Sequence, residues 1–263
     1  MDQCVSCGHQ VSLTAGTVFH GTRKPLVLWF RVIGQFLVSK SGCSAVDVSR
    51  QHGLKYETAP GPGCTSCAVA CRSSAARRST AASRWTRPTS AERTTTLIKG
   101  AALTGHKTPV AAAVEWRGEA IGRIRVAAVL NATALSLCGF VRQNVAGGSR
   151  VKTDGLQAYR LLHKLGFRHE RAVLGDNPKN AVKQLPNVHR VFSLLRRWML
   201  GTYQGACHPI HLQSYLDEFV FRFNRRRSAN RWLLFQRLLE RAFTRPPTYA
   251  SLAGRPPLSV VAA

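Results

Sequence analysis

The fold turns on Val151-Lys152-Thr153-Asp154-Gly155 and, further along the chain, His189-Arg190-Val191-Phe192-Ser193-Leu194-Leu195-Arg196-Arg197-Trp198. The first run is short, holds β-branched residues and ends in Asp and Gly, which predicts a strand with a carboxylate at its tip. The second predicts a basic amphipathic helix with a polar residue, His189, at its start. Such a helix can bring a second metal ligand beside the first. Basic helices around the pair suit a polyphosphate partner.

Working outward, the helix runs into Leu200-Gly201-Thr202-Tyr203-Gln204-Gly205 and Tyr215-Leu216-Asp217-Glu218-Phe219, closing on Arg222-Phe223-Asn224-Arg225-Arg226. Further helices are predicted from Ile210 to Arg226 and from Asn230 to Phe243, before a Pro-rich tail from Thr244 to Ala263. Upstream, the β-rich runs Pro109 to Glu115 and Ile124 to Leu130 flank Arg117-Gly118-Glu119 and read as a hairpin. Thr133 to Val145 reads as a helix ended by Gly147-Gly148, and Leu156 to Leu165 as another stopped by Gly166. Phe167 to Leu174 fits a last strand. Trp198, Tyr215, Phe219 and Phe223 lie at helical spacing and are read as core, not as base-stacking groups. Asp217 and Glu218 are adjacent on a helix, point to different faces and are read as structural.

Charge bounds the partner. Of 263 residues, 38 are Lys or Arg and 12 are Asp or Glu, a formal net charge of +26. Self-repulsion on that scale points to nucleic acid. The 44% hydrophobic content argues for a packed domain and not a basic tail. No apolar run approaches the roughly 20 residues needed to span a bilayer, and Met1-Asp2-Gln3-Cys4 has no signal-peptide pattern. A cytoplasmic chain with no membrane partner is expected, so its eight cysteines are not read as a disulfide framework.

Cys4-Val5-Ser6-Cys7-Gly8 is a C-x2-C turn, half of a tetrahedral zinc knuckle. Structural zinc wants four ligands, so Cys4 and Cys7 are a partial site. His9 and His20 are read as ordinary loop or surface residues. Residues 24–59 read as helical: a helix from Pro25, a break at Ser41-Gly42, a second helix over Ser44 to Gln51, a turn at His52-Gly53-Leu54 and a third helix starting at Lys55. Helix, Gly turn, helix is helix-turn-helix geometry, with Lys55 placed for DNA. A plain helical hairpin on the core is the alternative.

The ordered motifs from Val151 to Arg226 resemble the catalytic domain of ISXO-like insertion-sequence transposases. The resemblance implies an RNase H-like fold, a mixed α/β sheet flanked by helices, and a metal-dependent (DDE-type) DNA transposase that acts as a homo-oligomer on terminal repeats and target DNA. Relatives carry an upstream C-x2-C, so the chain start looks truncated. The resemblance assigns 1–23 to a partial zinc ribbon and 106–227 to the transposase domain, with 228–263 a C-terminal helix and tail.

Residues 60–105 depart from this. They hold no Asp and a single Glu, Glu92, and Ala, Ser, Thr, Arg, Gly and Pro dominate. Such text reads as disordered, with the first strand of the sheet lost. Cys64 and Cys67 stand too far from Cys4 and Cys7 for a zinc ribbon. A shifted reading frame explains the change. Let Arg84 to Glu92 be encoded CGG TGG ACG AGA CCT ACG TCG GCG GAG. Read from the third base, this gives Val-Asp-Glu-Thr-Tyr-Val-Gly-Gly, the motif that carries the first catalytic Asp in the transposases this chain resembles. With Pro62 to Val69 encoded CCT GGC TGC ACA AGC TGC GCC GTG, the same shift gives Trp-Leu-His-Lys-Leu-Arg-Arg. That is an amphipathic continuation of the helix begun at Lys55. The frame would be restored near His106.

The resemblance also implies the chemistry. Two divalent ions (Mg²⁺ or Mn²⁺), roughly 4 Å apart, clamp the attacking and leaving oxygens of an in-line displacement. Asp154, one of five aspartates, matches the second catalytic Asp; an Asx-turn role is the alternative. His189 matches the third ligand, where relatives vary among Glu, Asn and His, or it merely opens a helix. Arg196 fills the basic position seven residues on. Arg196, Arg197, Arg222, Arg225, Arg226 and Arg227 are candidates for phosphate contact. With the first Asp absent, transposition is expected to fail. A DNA-binding remnant that occupies terminal repeats is the alternative, and a basic RNA-binding protein gives no reason for Asp154 and His189.

Overall fold

A computed structural model describes residues 24–39, 41–55, 91–99, 107–117, 120–154, 156–172, 184–204 and 212–244. Within the first 22 residues it describes only 2–3, 5–8, 10–11, 14–15, 17, 19 and 22. The third helix expected from Lys55, the Pro-rich tail and most of residues 60–105 lie outside the described residues. The chain divides into two compact units, Met1–Ser73 with Ser228–Arg255, and Ser74–Arg227 with Pro256–Ala263.

In the first unit, strands β1 (Asp2–Gln3) and β2 (Gln10–Val11) pair antiparallel around the Val5–Cys7 turn. Helices α1 (Leu26–Val38) and α2 (Ala45–His52) follow. Ser44 and Asp47 form a reciprocal capping box at the start of α2, and Gly53 ends it at φ +62°. The capping box satisfies two N-terminal amides that the helix itself leaves open. Val32, Cys43 and Val48 bury together, and His52 Nε2 meets Gln35 Oε1 at 2.8 Å. Helix α6 (Arg231–Thr244), reached only after the whole second unit, returns to α1. There Phe235 packs edge-on to Phe30, and Arg231 donates to the Leu37 carbonyl at 3.0 Å. The C-terminal helix therefore belongs with the N-terminal helices.

The second unit holds a five-stranded mixed sheet. Its strands are β3 (Ala91–Lys99), β4 (Lys107–Arg117), β5 (Ala120–Ala128), β6 (Arg150–Thr153) and β7 (Arg168–Arg171). The order across the sheet is β5-β4-β3-β6-β7, with β3, β4 and β5 antiparallel and β3, β6 and β7 parallel. The expected hairpin is present as β4 and β5. The expectation that the first strand is lost is corrected: β3 is the central strand, within the segment read as disordered. Its β-branched residues Thr94, Thr95, Thr96 and Ile98 favour extended backbone. The β-branched run forms a strand despite the biased composition of the segment around it.

β4 is buried on both faces. Val110, Ala112 and Val114 join Ile124 and Val126 of β5 beneath α4 (Pro186–Tyr203) and α5 (Leu212–Asn224). Ala111 and Ala113 face Leu137, Cys138 and Val141 of α3 (Ala134–Asn144), with Val151 of β6 and Leu162 of the 3-10 helix Gln157–Leu162 in the same cluster. Helix α4 presents Val188, Val191, Phe192, Leu195 and Met199 at steps of three and four, one apolar stripe. Trp198, Tyr215 and Phe223 pack against that cluster and Phe219 lies within it, so all four aromatics are core groups. Edge strand β5 is tied to α5, since the Asn224 side chain bonds both the amide and the carbonyl of Ile124, at 2.8 and 3.0 Å.

A register shift between Val114 and Trp116 leaves Glu115 buried, accepting from the Arg123 amide at 2.8 Å. A Cβ on Gly122 would lie 2.6 Å from Glu115 Oε2. Gly122→Ala is therefore expected to force the buried carboxylate off its amide, at a cost of about 1–3 kcal/mol. Chemical denaturation checks this, and a loss below about 0.5 kcal/mol would show that Glu115 relaxes freely.

Candidate active site

The tip of β6 is built by alternation. Val151 and Thr153 are both fully buried, Val151 in the cluster with α3. Side chains on a strand alternate, so Arg150, Lys152 and the following Asp154 belong to the opposite face, the side of α4. The Ala172 amide still bonds the Thr153 carbonyl at 2.8 Å, holding the backbone in line up to Asp154. Asp154 Oδ1 accepts from the Leu156 amide at 3.3 Å, which is Asx-turn geometry. That bond engages one lone pair of one oxygen, so the turn and a ligand role are compatible.

His189 sits in the first turns of α4, where Pro186 opens the helix and buried Leu185 anchors it. Its amide bonds the Leu185 carbonyl at 3.2 Å. The imidazole is half-buried, and its Nε2 is shielded from solvent with no hydrogen-bond partner among the described residues. Burial pushes the His189 pKa below its ordinary value, and the negative charge of Asp154 opposes that shift in part. The two side chains that the sequence paired are therefore within electrostatic reach of one another. A neutral imidazole with an unused nitrogen is in the form that binds metal.

A neighbouring contact went unseen in the sequence. Thr153 Oγ1 and His169 Nε2 of β7 are 2.8 Å apart, tying the edge strand to the residue just before Asp154. Burial first, then the positive charges of Arg171 and His163, hold the His169 pKa down. The Thr-Asp order at the strand tip was the available signal, but its partner lies on another strand.

The arginines divide. Arg196 and Arg197 are exposed on α4, two turns beyond His189. Arg222 is committed inward, its Nε donating to Glu218 Oε1 at 2.8 Å with its side chain only 14% exposed. Glu218 also accepts from the Tyr203 hydroxyl at 3.0 Å, and Asp217 from Gln213 at 2.8 Å, so both acids serve packing and not a metal. Arg225 lies over the Phe221 ring and Arg226 over the Phe223 ring, each at 4.0 Å. Arg226 also donates to the carbonyls of Ile121, Gly122 and Phe223. The phosphate role expected of Arg222, Arg225 and Arg226 thus competes with contacts inside the domain, because neighbouring rings and carbonyls satisfy guanidinium groups as phosphates would. Arg227 is exposed. Lys55 is exposed after α2, and Cys7 is exposed on its turn, while Cys4, His9 and His20 lie outside the described residues.

Among the described residues, no group of three or more His, Cys, Asp or Glu could hold a metal ion. A two-ion centre for phosphodiester chemistry wants several hard carboxylate oxygens. One carboxylate and one softer imidazole do not fit that pair.

A family profile described as ISXO2-like transposase domain matches residues 84–224, more than half of the chain. The chain belongs to this family. Among curated proteins and among solved structures, none matches it. The transposase domain ends on Asn224, the last residue of α5, and takes in every strand of the five-stranded sheet. Asp154, His189 and Arg196 all fall inside it. Among the described residues, no helix is long and apolar enough to cross a membrane.

Proposed function

We propose that the chain is a copy of an insertion-sequence transposase that retains DNA binding and has lost DNA cleavage. The reading rests on the ISXO2-like transposase domain, which holds Asp154 at the tip of β6 and His189 in the first turns of α4, with the Asp154 charge acting on the imidazole. The strand order, three antiparallel strands continued by two parallel ones, is compatible with an RNase H-like sheet. Transposases of this kind use divalent Mg²⁺ or Mn²⁺ to nick DNA and then to join a 3′-OH to target DNA. Asp154 and His189 are candidates for two of the three ligands such a site requires and do not hold the ion pair without the third; Arg196 is the basic residue two turns along α4 from His189. Arg197 and Lys55 contact phosphates, and Arg225 and Arg226 add positive charge to the transposase domain. The first Asp is scrambled in the frame of residues 60–105. The functional form is a cytoplasmic homo-oligomer on DNA ends, and Cys4 and Cys7 are two ligands of a zinc-ribbon-like turn ahead of a helix-turn-helix-like segment.

A non-catalytic role follows from the charge of +26, which survives the loss of a ligand. Such a remnant would occupy terminal repeats and block intact copies. The test is a salt titration of the chain on duplexes carrying the element's inverted repeats, run beside a cleavage assay with Mg²⁺ or Mn²⁺. Salt-sensitive, end-preferring binding without cleavage is expected. Cleavage by the chain as written would show the catalytic site to be complete, and no binding at all would remove the repressor reading.

A further inference from the structure

The sheet face that carries Asp154 also carries Arg150, at the start of the same strand. In the parallel register of β6 and β7, Arg150 lies opposite Arg168, and Lys152 lies opposite Glu170. Alternation puts these four on the Asp154 side, since Val151 and Thr153 are buried on the other. The contact of His169 with Thr153 marks that other side on β7 as well. Lys152 has an acid across from it in that register, whereas Arg150 has a second arginine. Arg150 and Arg168 are both exposed, and among the described residues neither guanidinium has a hydrogen-bond or ion-pair partner.

Like charges directly opposite one another on neighbouring strands destabilise a sheet. A fold therefore gains nothing from this pair by itself, and a polyanion would offset the repulsion. Strands in a sheet lie about 4.8 Å apart, which sets two forked donors side by side for phosphate oxygens. We propose that Arg150 and Arg168 form a phosphate-binding step for the backbone of duplex DNA. It lies on the face shared with Asp154 and His189 and leads toward that pair. The step reads charge and not sequence, because exposed guanidiniums at the starts of two neighbouring strands meet the backbone without entering a groove. It rests on the reading of the chain as a DNA-binding transposase copy.

The test uses the full chain and a fluorescent duplex of arbitrary sequence, titrated without divalent ions from about 50 to 200 mM salt. The double variant Arg150→Gln with Arg168→Gln is expected to lower the slope of log K against log salt by about 1.8, since each phosphate contact contributes about 0.9. A matched pair on α3 and the 3-10 helix, Arg142→Gln with Arg160→Gln, removes the same charge and should change the slope by less than half as much. An unchanged slope in the first variant, or an equal fall in both, overturns the proposal. Arg168→Glu adds a second arm. It sets opposite charges across the strands, so the melting temperature should hold or rise while binding weakens further. Binding that falls only together with the melting temperature would make the pair structural and the proposal wrong. If the unaltered chain does not bind DNA, the reading of a copy that retains DNA binding falls with it. Binding that is intact in both the unaltered and doubly substituted chains removes the phosphate step alone.

Discussion

Restoring the shifted frame across residues 60–105 is expected to give metal-dependent cleavage of the element's ends, and the chain as written is expected to show none. The restored text would supply the Val-Asp-Glu-Thr-Tyr-Val-Gly-Gly motif, and with it the carboxylate that Asp154 and His189 lack. Removing one preorganised electrostatic group from an active site costs about 10²–10³-fold in rate. A missing ligand shared by two ions should cost at least as much. Nicking of end-bearing duplexes with Mg²⁺, compared between the two chains at equal protein concentration, measures the difference. Equal activity in both, or none in the restored chain when it is folded and bound to DNA, would rule out the frame explanation. The codons of the gene give an earlier check. If the natural bases do not encode the two peptides in the shifted frame, the restoration has no basis.

Removing the Arg222 side chain is expected to produce the largest loss of stability in the transposase domain. Glu218 is wholly buried, and its burial pushes its pKa up against the pull of the Arg222 guanidinium. The Tyr203 hydroxyl donates a second bond to it, and burial with the nearby Glu218 charge holds that phenol protonated far above its ordinary range. Without Arg222 the carboxylate loses its counter-charge in a site closed to water. Breaking such a buried pair costs about 3–5 kcal/mol. For a domain of this size that is roughly 10 °C in melting temperature. The sign with pH follows from the raised carboxyl pKa. Stability of Arg222→Ala should be greatest where Glu218 is protonated in both folded and unfolded chains. It should fall as pH rises from the ordinary carboxylate range through the raised folded value. Thermal melts of the variant at pH 5 and pH 8 read this directly. A variant that melts within about 2 °C of the parent, or melts higher at pH 8, would show that Arg222 does not neutralise Glu218.

Much of the site was legible because its signals are local. The run to Asp154 is a strand from Arg150 to Thr153, and the helix read over His189 to Trp198 runs from Pro186 to Tyr203. The hairpin read at Pro109 to Glu115 and Ile124 to Leu130 is β4 and β5, each extended or shifted by a few residues. Each rests on a period of two or near 3.6 within one segment. The segment Leu156 to Leu165, read as a helix, is a 3-10 helix from Gln157 to Leu162. Strand β3 was missed because composition was averaged over 60–105, which hid the β-branched run at Thr94 to Thr96. The arginines were overcounted because sequence shows charge and not the neighbour that uses it. Arg222 and Arg226 are engaged by groups that fold against them.

By itself, the sequence determined the family, the strong positive charge, the carboxylate at a strand tip and the imidazole at a helix start. These depend on residue type and on spacing within a segment, which the chain carries wherever it goes. Only the tertiary structure decided that β3 lies at the centre of the sheet and that the C-terminal helix joins the N-terminal unit. Only it decided which arginines face inward, and that Arg150 stands opposite Arg168. Those facts are pairings between distant segments, set by which apolar faces can be buried together. No window along the chain contains both partners.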